Sequence, residues 1–113
     1  MENNHNKTLG QKLLDVWNRA QANHNQYSDT GSTEDDIRFF TLGLTGEAGE
    51  VANFVKKRWR DGDDHLDDLR KECADVFAYN IMLAASLGMS PERLLDTVME
   101  KQNVFRAKME ARK

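Results

Sequence analysis

The sequence predicts an all-α domain, and three observations carry that prediction. Apolar residues recur at helical spacing in four separate segments. Pro occurs once, and no alternating apolar run joined by a tight hairpin turn is present. Charged residues make up 31% of the chain, a share that suits exposed helix faces better than a sandwich of short strands. A length of 113 residues fits one domain, taken here as residues 1–113 with 1–7 a flexible tail.

The first helix is expected over Thr8 to Asn23, from Leu9, Leu13, Leu14, Val16 and Trp17. The run NHNQYSDTGSTEDD then reads as loop, because Asp-Thr-Gly-Ser favours turns. Ser32 or Thr33 is placed to cap the second helix, expected over Asp35 to Arg60 with acidic residues in its first turn. Asp61-Gly62-Asp63-Asp64 ends it. The third helix is expected over Leu66 to Leu87, with Gly88 as the residue that turns the chain out of it. Ser90-Pro91-Glu92 opens the fourth, Ser as N-cap and Pro in the first turn, and it should run to Ala111.

Several function classes are disfavoured by composition. A formal charge of −3 does not suit a protein that grips nucleic acid by its phosphates. No apolar run approaches the roughly 20 residues of a membrane span. The N-terminal MENNHNKTLGQK has no apolar signal-peptide core. One cysteine, Cys73, precludes an intrachain disulfide, and a cytoplasmic protein is expected. Cys73 falls on the apolar side of helix three, where packing is its expected role.

The chemistry lies in a duplicated pattern. Leu44-x-x-Glu47-x-x-Glu50-Val51-x-x-Phe54 recurs 25 residues later as Leu69-x-x-Glu72-x-x-Asp75-Val76-x-x-Tyr79. Residues turn by about 100° each around a helix. Phe40, Leu44, Val51 and Val55 therefore form a stripe on helix two, flanked by Glu47 and Glu50. Leu69, Val76, Leu83 and Leu87 form a stripe on helix three, flanked in the same sense by Glu72 and Asp75. An antiparallel hairpin of the two would bring four carboxylates to the edge of the core. They repel there unless a cation joins them. All-oxygen ligands point to Mg²⁺, with Mn²⁺ as a substitute, rather than zinc. The missing Glu-x-x-His argues against a ferritin-like di-iron site. A single pair of Glu residues at this spacing is ordinarily a solvated face; duplication at matched phase is what sets this one apart. Gly43, Gly46 and Gly49 interrupt the same helix, each costing roughly 1 kcal/mol against Ala. They either admit a close neighbour or are simply tolerated.

Glu47-x-x-Glu50, 21 residues, then Glu72-x-x-Asp75 resembles the ExxE…ExxD signature of the MazG-like all-α nucleoside triphosphate pyrophosphohydrolases. GEAGEVANFVKK and RKECADVFAYNIMLAASLG resemble that family's second and third helices, and VMEKQNVFRAKM its C-terminal helix. The likeness covers about residues 35 to 110. Many members carry a further Glu directly before the first motif, where this chain has Gly46. The resemblance implies Mg²⁺-dependent cleavage of a (deoxy)nucleoside triphosphate between the α- and β-phosphates, giving monophosphate and pyrophosphate. It implies Glu47, Glu50, Glu72 and Asp75 as metal ligands, with Glu47 or Glu50 as candidate catalytic base. It also implies a dimer, or a tetramer of paired dimers, in which the helix hairpin completes a four-helix bundle with a second subunit. Among small single-domain members a pyrimidine deoxynucleotide such as dCTP or dUTP is the implied substrate, and house-cleaning of nucleotide pools the implied role.

Substrate contacts follow less directly. Lys56 could reach phosphate, although cations at a helix C-terminus are favoured anyway. Tyr79 resembles a nucleotide contact, and Asn103 and Arg106 resemble polar contacts to sugar or phosphate from the last helix. Trp59, His24 and Tyr27 could frame or stack on a base; the aromatics could equally be core or subunit contacts. The Asp61–Glu72 run fails as a calcium loop, since its sixth position holds Leu66 where Gly is needed. ASLGMSPERL has a helix-turn-helix cadence but no basic recognition helix. No nucleic-acid polymer and no membrane is expected as partner. The alternative to an enzyme is a non-catalytic helical interaction or regulatory module, which would leave the duplicated acidic face without a use.

Overall fold

The computed structural model describes residues 4–22 and 33–113. Among these residues it is all-helical: a short 3-10 turn at Asn4–Asn6, then α1 (Leu9–Ala22), α2 (Thr33–Asp61), α3 (Leu66–Ser86) and α4 (Pro91–Ala111). The expected segments and the observed helices agree to within two residues at every described boundary.

Local chemistry explains the ends. Thr8 and Gln11 form a reciprocal cap on α1: Gln11 N donates to Thr8 Oγ1 at 3.1 Å, and Thr8 N donates to Gln11 Oε1 at 2.8 Å. Thr8 is thus the cap rather than the first helical residue. Lys7 pairs with Asp15 across the first turns of α1. The first turn of α2 carries Glu34, Asp35 and Asp36, where unpaired amides favour carboxylates. Asp36 is fully buried. Between α2 and α3, Asp63 Oδ1 accepts from His65 N and Asp64 Oδ1 accepts from Leu66 N. These carboxylates help start α3. Ser90 Oγ accepts from Arg93 N at 3.1 Å to cap α4, with Pro91 following. Gly88 takes φ 78°, a conformation other residues adopt at a cost.

α2 and α3 pack side by side as an antiparallel hairpin. The register can be read from pairs along it: Gly43 against Tyr79, Glu47 against Glu72 and Asp75, Phe54 against His65. α1 crosses the far end of α3. Trp17 and Ala20 of α1 bury against Ile81 and Ala84 of α3, with Leu13, Val16, Met82 and Leu94 packed around them. Phe40 of α2 is 1% exposed. This core is small, as a chain of this length allows.

The chain bends by 110° between α3 and α4. α4 buries none of its residues, and Leu95, Val98, Met99, Phe105 and Met109 form an exposed apolar stripe along it. Cys73 is exposed, as is Phe77 one turn on. Packing was the sequence expectation for Cys73. It lies instead on the side of α3 turned from α2, and no described residue buries it. Among the described residues no single helix is long and apolar enough to cross a membrane.

Candidate metal centre

The hairpin delivers the carboxylates. Glu47, half-buried on α2, meets Glu72, half-buried on α3, and Asp75, exposed one turn further along α3. One carboxylate oxygen from each lies within 4.8 Å of the others. Two helices are needed because i, i+3 spacing gives each helix one or two ligands on a face, and an opposing helix must supply the rest.

Electrostatics mark Glu72 as the focus. Its pKa is pushed up from 4.5 to about 7. The largest cause is a carboxyl–carboxyl hydrogen bond with Glu47; burial adds to it, followed by the negative charges of Glu47, Asp75 and Glu50. Glu72 Oε2 is buried and finds no donor among the described residues. A retained proton between Glu72 and Glu47 is the metal-free answer to that crowding. A hard divalent cation is the other answer, since it supplies the positive charge that the buried oxygen lacks. The donor set, three carboxylates and no nitrogen or sulfur, fits Mg²⁺ or Mn²⁺ chemistry.

Glu50 stands apart from the three. It is exposed and contributes charge to Glu72 without joining the 4.8 Å group. Glu47 sits nearer the line of contact between the helices, and Glu50, three residues on, points about 60° further round α2.

Tyr79 is half-buried one turn beyond Asp75, with its ring pressed on the backbone of Gly43. Gly46 and Gly49 have no neighbour within 4 Å. Of the three glycines, then, one admits a close neighbour and two face open space. Lys56 follows Glu47 by nine residues, about two and a half turns, so it leaves the opposite side of α2. Lys57, in phase with Glu50, is a cation on the carboxylate flank, half-buried, its Nζ 5.0 Å from the centre of the Phe54 ring. The sequence pattern contained this distinction in its phase, which the run of adjacent cations hid. Trp59 is 90% exposed. It lines an open cleft with Val55, Arg58 and Gly62, away from the carboxylate cluster. Asn103 and Arg106 are exposed on α4. His24 and Tyr27 lie outside the described residues.

Comparison with known proteins adds the family. The chain is 37% identical over 81 residues to the Gene 37 protein of Mycobacterium phage L5, an alignment covering 66% of this chain and 71% of the relative. No solved structure matches. A family model for the MazG nucleotide pyrophosphohydrolase domain matches residues 38–110, a span that begins in α2 before the carboxylates and ends in α4. The chain therefore belongs to the MazG nucleotide pyrophosphohydrolase family.

Proposed function

We propose that this protein hydrolyses (deoxy)nucleoside triphosphates between the α- and β-phosphates, releasing a monophosphate and pyrophosphate, and that it requires Mg²⁺ to do so. The observation that carries the reading is the crowded Glu47–Glu72–Asp75 cluster with its buried, donorless oxygen. A surface patch of carboxylates would relieve its repulsion by turning outward into water. This one is held together by the packing of α2 on α3.

Glu47, Glu72 and Asp75 would hold the metal, with Glu50, beside them on α2, as a further acidic group for the site. Bound there, Mg²⁺ supplies charge neutralisation for the phosphates and lowers the pKa of a coordinated water. Glu50 is exposed and Glu47 half-buried at the cluster, and either could accept the proton of an attacking water. Lys57 stands about two to three turns beyond them on the same flank and is the phosphate contact proposed for this helix, ahead of Lys56. Tyr79 meets the nucleoside. A second copy of the chain covers the exposed stripe of α4 and the open side of α3, bringing Asn103 and Arg106 toward a site. The substrate base is a pyrimidine, and the role is removal of surplus or unwanted deoxynucleotides.

Product analysis tests the reading. A panel of NTPs and dNTPs is incubated with wild type and Glu50→Gln, with and without Mg²⁺. Equimolar monophosphate and pyrophosphate, dependent on Mg²⁺ and reduced at least a hundredfold in the variant, is the expected result. Release of single phosphates would reassign the bond that breaks. No turnover of any triphosphate would leave the interaction-module reading, which the bare apolar stripe of α4 favours.

A further inference from the structure

At Gly43, α2 and α3 meet closely through a missing side chain. A Cβ added at Gly43 would fall 2.3 Å from Cε1 of Tyr79, 2.6 Å from Cδ1 and 2.9 Å from Cζ. These are atoms of the ring body, not a flexible tip, so the ring and the added methyl cannot share the space. Glycine inside a helix is unfavourable, and at Gly46 and Gly49 the space around it is open. At Gly43 alone the cost has a visible return.

The seat lies beside the candidate metal centre. Gly43 is one turn before Glu47, and Tyr79 is one turn after Asp75. In the antiparallel register the ring therefore occupies the layer next to the carboxylates, about 5 Å along the groove. The two ends of that groove differ. Toward the α2–α3 connection stands Lys57, a cation suited to a phosphate tail. Toward the core stands Tyr79, half-buried with its ring against α2 at Gly43, an aromatic side chain of the kind on which a flat, neutral group rests. A triphosphate held by the carboxylates would then run with its phosphates toward Lys57 and its nucleoside toward Tyr79.

We propose that Gly43 is a positioning residue: by leaving room for the Tyr79 ring against α2, it fixes the wall on which the nucleoside rests. The proposal depends on the nucleotide-hydrolysis reading given above. Gly43 touches no substrate and acts only through the ring.

The test is a double-variant cycle on Gly43→Ala and Tyr79→Leu, using the triphosphate that wild type turns over best, with Mn²⁺ affinity measured separately by paramagnetic resonance. Gly43→Ala should raise KM at least tenfold, change kcat much less, and leave Mn²⁺ affinity within twofold, because substrate contact is lost and the carboxylates are untouched. In the Tyr79→Leu background, where no ring remains to be displaced, adding Gly43→Ala should change KM by less than twofold. Should Gly43→Ala alone fail to fold, the comparison of Tyr79→Leu with the double variant decides the matter. Equal KM values uphold the role, and a further large rise overturns it. An active wild type with an unchanged KM in Gly43→Ala overturns the positioning role alone. Mn²⁺ affinity falling in step with KM overturns it too, by showing a general distortion. A wild type that turns over no triphosphate overturns the nucleotide reading and this role with it.

Discussion

Loading the carboxylate cluster with metal should expel a proton, and the pH at which it does so is set by Glu72. In the metal-free protein this carboxyl titrates at about 7, held up first by its hydrogen bond with Glu47 and then by burial and the neighbouring charges. A metal ion needs the ionised form, so the proton must leave as the ion enters. With a pKa of about 7, about 0.9 proton should be released per metal at pH 6, and about 0.1 at pH 8. Apparent Mn²⁺ affinity should accordingly be roughly thirtyfold weaker at pH 5.5 than at pH 8. Titration calorimetry in two buffers of different ionisation enthalpy reads the proton count directly. Glu72→Gln should abolish both the release and the pH dependence. The same group bears on folding. The unfolded carboxyl titrates near 4.5 and the folded one near 7, so the folded state holds the proton more tightly. Metal-free stability should fall as pH rises from 4.5 to 7, with no contribution to the slope from this group outside that window, and saturating metal should remove the effect. Release of less than about 0.2 proton at pH 6, or undiminished release from Glu72→Gln, would refute the assignment.

Three further outcomes can be checked quickly. Asp75→Asn keeps the shape of the site and removes one charge; Mn²⁺ affinity should fall at least tenfold, while the thermal midpoint of the metal-free protein holds or rises because repulsion is relieved. Ser90→Ala removes the acceptor for Arg93 N and should cost about 1 kcal/mol in denaturant unfolding, with metal affinity unchanged. Ile81→Ala empties a position that is 1% exposed in the small α1–α3 core and should cost about 2–5 kcal/mol by the same assay.

Periodicity made the helices readable before any coordinates. Ser90-Pro91 and Gly88 marked one junction by well-understood cap chemistry, and the structure has that junction there. The Thr8–Gln11 box is equally present in the sequence, as Thr followed three residues later by Gln. Matched phase in helices two and three foretold that carboxylates would converge. It could not rank Glu47 above Glu50, because phase gives a direction around each helix while the line of contact depends on how the two axes cross. Gly43 and Tyr79 show the same limit. A glycine announces that something small is tolerated, but only the neighbouring helix decides whether anything uses the space. Amphipathicity likewise found the stripe on α4 without saying what lies over it.

The ordering of contacts along the chain has a consequence for how the molecule assembles. Glu47 and Asp75 are joined through one short turn, whereas Trp17 must find Ile81 from the other side of the whole α2 segment. Loop closure favours the nearer pairing, so the α2–α3 hairpin is the natural early event and docking of α1 the slow one. Like charges gathered in that early hairpin oppose its closure, and a divalent ion present during refolding would relieve them at the moment they meet. Mg²⁺ should therefore accelerate refolding as well as slow unfolding, with the larger fraction of its effect on the forward rate. Changes at Trp17 or Ile81 should do the reverse and act chiefly on the rate of loss.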